Sequence, residues 1–139
     1  MSTGDDEVPM TTVRLAGILS QGTPIDVPAL EEVSVPASMI DAPDFVLRVE
    51  GTGLRGFGIE ANDLLIIEPR TLDQACTGEL VLATLNEHTF VGRWWTKHGR
   101  RALMDASIQP IAETKHLQVI GVVTVLIRTS TVPTKRKRT

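Results

Sequence analysis

Apolar and polar positions along this chain follow the two-residue period of β-strands far more than the spacing of helices. Phe45, Leu47 and Val49 interleave with Val46, Arg48 and Glu50, a strand pattern. Leu64 to Ile67 is a continuous β-type apolar run that Pro69 stops. Leu80–Leu85 and His88–Thr96 flank Asn86-Glu87 and read as a hairpin. His98-Gly99-Arg100 turns the chain again, Ala102 to Met104 is short and β-like, and Leu117 to Ile127 is a long β-branched strand. Short strands at this spacing predict a mostly β fold: a compact, coiled β-sheet domain.

The first third reads differently. Residues 1–12 are polar, acidic and aperiodic, and are expected to be disordered. Val13 to Leu19 could pair as an edge strand. From Gly22 to Pro43, prolines at 24, 28, 36 and 43 predict an extended arm with little regular structure. Its apolar residues Val27, Leu30, Val33 and Val35 suggest that it lies along a surface. The expected division is an N-terminal arm over 1–43, a β domain over 44–128, and a basic disordered tail over 129–139 that carries Lys135, Arg136, Lys137 and Arg138.

Composition narrows the function classes. A chain of 139 residues fits one domain with a modest core. No apolar run is long enough to span a membrane, and the acidic start does not read as a secretory signal. Cys76 stands alone, which precludes an internal disulfide and favours the reducing cytoplasm. A net charge of −3 provides no overall attraction to nucleic acid. The basic tail could touch phosphate without reading sequence, and no helix-turn-helix fits, so direct sequence-specific DNA binding is not expected. His88, His98 and His116 lack metal-ligand spacing, and no cofactor is expected. Of Trp94 and Trp95, one must face the core of the hairpin and the other solvent, where it would suit a protein contact. The last strand is apolar on both faces. It is therefore either central or covered by a second subunit, which makes Val122, Val123 and Val125 candidate dimer contacts.

The glycine-rich stretch Gly51–Gly58 lacks the following helix and the Lys-Ser/Thr pair of a phosphate loop. With its flanks it is more specific. FVLRVEGTGLRGFGIEANDLLIIEP resembles the nucleophile region of the LexA/UmuD family of self-cleaving serine peptidases, in which a strand leads to Gly-x-Ser-Met, then Gly-Ile, Gly-Asp and an apolar strand. Gly51, Gly58, Ile59, Asp63 and Leu64 to Ile67 fall in register. GELVLATLNEHTFVGRW is similar to the hairpin that carries the family's lysine, and LQVIGVVTVLIR to its closing strand. The resemblance runs from about residue 14 to 128.

In that family a serine attacks a peptide carbonyl of the protein's own N-terminal arm, and a buried neutral lysine takes the serine's proton. The resemblance places Gly53 at the serine position and Gly92 at the lysine position. Glycine supplies neither a nucleophile nor a base, and loss of one member of such a unit typically costs about 10⁴–10⁶ in rate. Thr52 points the wrong way, Arg93 is too basic, and Lys97 and His98 lie too far along the hairpin to substitute. The matching cleavage site is Gln21-Gly22, followed by Pro24, with a bulky Gln where a small residue is usual. Ala16-Gly17 is a weaker alternative. The resemblance therefore implies a catalytically inactive, dimeric regulatory module closest in architecture to UmuD. Its implied partners are a translesion polymerase, the RecA filament or a LexA/UmuD relative in the SOS response. Two other readings stay open: a peptide-binding or repressor-type dimerisation module of a phage or bacterial regulator, and a working peptidase with an unrecognised dyad.

Overall fold

The computed structural model describes residues 8–28 and 30–128. The acidic residues 1–7 and the basic segment 129–139 lie outside the described residues. Among those described there is no α-helix, and none long and apolar enough to cross a membrane. The described residues form nine strands in one mixed sheet: β1 (Met10–Leu19), β2 (Glu32–Pro36), β3 (Phe45–Val49), β4 (Leu64–Pro69), β5 (Leu80–Leu85), β6 (His88–Lys97), β7 (Arg100–Met104), β8 (Pro110–Glu113) and β9 (Leu117–Ile127). Their order is β2-β1-β3-β4-β9-β5-β6-β7-β8, and only the β1–β3 pair is parallel. The mostly β, coiled-sheet expectation holds.

The sheet curls because strand alternation feeds three apolar clusters. Odd-numbered residues of β4 (Leu65, Ile67) join Leu19, Leu47, Val49, Leu54, Ile59, Leu82 and Val91 in the central cluster. Its even-numbered residues (Leu64, Ile66) join Leu15, Val35 and Val46 on the other face. Val81, Ala83, Trp94, Leu103 and Val122 form the third cluster, behind the β5–β6–β7 part of the sheet. Burial on both faces explains why Leu64–Ile67 reads as an unbroken apolar run. Both hairpins turn in two residues with positive φ, Asn86 and Glu87 (51° and 69°) and His98 and Gly99 (53° and 77°), the backbone that matches strand twist.

Two local expectations need correction. The stretch expected as an edge strand, Val13–Leu19, begins at Met10 and lies inside the sheet, between β2 and β3. The arm also contributes a strand of its own: Val33 and Val35 alternate with Glu32 and Ser34 in β2, and Val35 is fully buried. Proline spacing concealed this five-residue strand because Pro36 closes it instead of interrupting it. Strand β8 likewise starts on a proline at the sheet's edge, where no ladder N–H is missed.

β9 sits between β4 and β5, so of the two explanations for its apolar character the central position applies. Bulges near Thr124 and Ile120 break its alternation.

Candidate functional site

The arm leaves β1 at Leu19, turns through Ser20-Gln21-Gly22-Thr23, and comes back beside β1 at Asp26. The turn is closed by Thr23 N–H donating to the Ser20 carbonyl (3.1 Å), with Gly22 at φ +82°, a conformation for which glycine is the natural residue. Ile18 and Asp26 then exchange main-chain hydrogen bonds of 2.7 and 3.1 Å. The returning leg passes so close to β1 that a Cβ on Gly17 would lie 2.3 Å from Ile25 Cγ2. Further on, Glu31 pairs with Arg48 of β3 through both carboxylate oxygens. The guanidinium hydrogen bond lowers the Glu31 pKa below its ordinary value.

This turn is seated on the edge of β6. Gly22 N–H donates to the Thr89 carbonyl (2.8 Å) and Thr89 N–H donates to the Thr23 carbonyl (2.9 Å). The Gln21 side chain makes two more bonds: Val91 N–H donates to its Oε1 (2.8 Å), and its Nε2 donates to the Val91 carbonyl (2.9 Å). β7 covers the same edge of β6 only from Arg93 to Lys97, so the arm takes over where β7 ends.

The glycine-rich loop closes the other side. Glu50 N–H donates to the Leu19 carbonyl (2.9 Å), and a Cβ on Gly53 would lie 2.9 Å from Gln21 Cβ. Leu54 and Ile59 anchor the loop in the central cluster. Its far end is held by Asp63, which is 1% exposed. Asp63 accepts from Arg128 Nε (2.9 Å) and Nη2 (2.7 Å) and from the Glu60 N–H (2.7 Å). The Arg128 hydrogen bonds, opposed by burial and aided by the Glu60 N–H, lower the Asp63 pKa below its ordinary value.

A group with a folded pKa below its unfolded value stabilises the fold fully above the unfolded value and loses that contribution as pH falls through the folded one. Asp63→Asn is therefore expected to cost about 2 kcal/mol near neutral pH. The difference from the parent chain should shrink below about pH 4. Urea titrations of both chains across pH 3–7 check both points.

The structure thus places Gln21, which precedes Gly22 in the turn, beside Gly53. Gly92 follows Val91, the residue clamped by Gln21, and a Cβ there would meet β7. It would lie 2.7 Å from both Leu103 Cγ and the Met104 carbonyl oxygen. None of the neighbours considered as substitutes bonds to the arm. Arg93 lies 5.7 Å over the Phe57 ring and donates to the Gly78 carbonyl, Thr52 is exposed, and Lys97 and His98 sit at the exposed tip of the β6–β7 hairpin.

The tryptophan pair divides as expected, Trp94 buried at 1% exposure and Trp95 exposed at 36%. Trp94 and Val122 are therefore corrected from possible contacts to core residues. Val123 and Val125 are half-buried against the central and second clusters, so Trp95 is the surface member of that set. The Gln21 clamp was not foreseen: the bulk and polarity of Gln21 were legible as a departure, but no sequence signal shows that its partner is main chain.

Residues 15–124 match the profile of the Peptidase S24-like family. The chain belongs to this family. Among S24-like relatives, the LexA repressor of Bordetella parapertussis is 32% identical over 122 residues, covering 83% of this chain and 56% of that protein. The LexA repressor of Syntrophobacter fumaroxidans is 30% identical over 122 residues, with 84% and 58% covered. That of Cupriavidus necator is 35% identical over 98 residues, with 67% and 43% covered. The chain thus spans about half the length of the curated relatives that it matches.

Proposed function

We infer that this chain is a catalytically silent S24-like module, a dimeric regulatory interaction protein whose arm stays attached. The observation that carries this reading is the seating of Gln21 against Gly53: glycine stands where the family resemblance calls for a serine, and a Cβ there would lie 2.9 Å from Gln21 Cβ. On the same register Gly92 occupies the lysine position, so neither an attacking oxygen nor a proton acceptor is supplied. The resemblance to UmuD extends the proposal to a role beside a translesion polymerase or the RecA filament in the SOS response. Trp95, at the border of a groove of about 360 Å³ that Phe57, Met104 and Ile108 also line, is the proposed contact residue.

Incubation of the intact chain at neutral and alkaline pH, followed by mass spectrometry, tests the reading. The expected result is a single uncut mass at both, since alkaline pH would favour any lysine base by deprotonating it. Products that begin at Gly22 would overturn catalytic silence.

A further inference from the structure

The edge of β6 at Thr89–Val91 is occupied in an unusual way. A strand pairs through its own peptide groups, but here the main chain turns off at Gly22 and the ladder is continued by a side chain. The Gln21 carboxamide offers one acceptor and one donor, the same pair as a peptide group, and both engage Val91. This geometry discriminates among side chains. A carboxylate of equal length could accept from the Val91 N–H, but its second oxygen would meet the Val91 carbonyl with no proton between them. Asn is one methylene short, and an apolar side chain leaves both main-chain groups of Val91 unpaired beside a half-buried arm, which is costly. The next position is selective as well, because φ +82° favours glycine.

We propose that Thr89–Val91 is a peptide seat that reads a side-chain carboxamide followed by glycine, with the chain's own Gln21-Gly22 as its built-in, autoinhibitory occupant. The external ligand that fits is an extended Gln-Gly segment of another protein, bound by strand-like main-chain pairing. Access requires the arm to lift, and the Gln21 clamp sets how often it does. The proposal rests on the silent reading in one respect only, that the arm remains covalently attached.

Amide exchange on the full chain tests the clamp. Gln21→Ala and Gln21→Glu should each speed exchange at Val91 by about tenfold or more, while amides of β4 and β9 keep their parent rates. Unchanged protection at Val91 would overturn the clamp. The seat is tested by adding the peptide Ile-Leu-Ser-Gln-Gly-Thr-Pro-Ile to the Gln21→Ala chain and following the Thr89–Val91 amide resonances. Saturable shifts are expected, with at least tenfold weaker binding when Glu replaces Gln in the peptide. Equal binding of the two peptides, or binding of neither, would overturn the seat. Mass spectrometry of the parent chain decides catalytic silence separately, so failure of that reading and failure of this one give different results.

Discussion

Gly92→Ala is expected to cost about 2–3 kcal/mol, lowering the urea midpoint by roughly 1–2 M. Its added methyl would meet the Met104 carbonyl oxygen and Leu103 Cγ, both at 2.7 Å. One of these is main chain in the paired β7, so relief requires β6 and β7 to move apart. Gly53→Ala is the comparison. Its methyl would meet Gln21 Cβ at 2.9 Å, but the contact is with a turn that can shift, and a loss below about 1 kcal/mol is expected. A neutral Gly92→Ala would mean that the β6–β7 spacing relaxes freely. The same contacts bear on restoring chemistry: Gly53→Ser with Gly92→Lys is expected to lose stability and to remain uncut. A cut between Gln21 and Gly22 in a folded double variant would establish the proposed register and show that position 92 can reopen.

The second large effect belongs to Trp94. Its indole is 1% exposed at the centre of the third cluster, yet its N–H has no hydrogen-bond partner among the described residues. Trp94→Ala should therefore cost about 3–5 kcal/mol through the cavity it leaves, a fall on the order of 15 °C in Tm. Trp94→Phe keeps most of the apolar contact and removes the unpaired N–H, so about 1 kcal/mol is expected. Thermal unfolding of both variants measures the difference. Similar large losses would mean that the N–H has a partner after all.

What was legible beforehand follows the reach of each signal. Alternation and turn chemistry located β3, β4, both hairpins and β9, because burial on one or two faces leaves a direct imprint on residue type. The matched blocks around Gly51, Asp63 and Leu64 carried the family resemblance, and the match over residues 15–124 agrees with it. The inside position of β1 was not, since its neighbours β2 and β3 are set by contacts that no local pattern encodes. Val33 and Val35 carried the β2 alternation, but Pro28 and Pro36 outweighed it in the reading. The Asp63–Arg128 staple joins residues 65 apart, and the Val91 clamp is made by main chain. A single sequence carries little trace of either.

The position of β9 has a consequence for synthesis. Growing from the N-terminus, the chain completes β4 and β5 long before the strand that belongs between them. Until Leu117–Ile127 emerges, the inner edges of both remain open, rich in buried-type side chains and unpaired amides. The sheet therefore cannot be completed before its last strand is made, and exposed edges of this kind favour pairing with neighbouring chains in the interval.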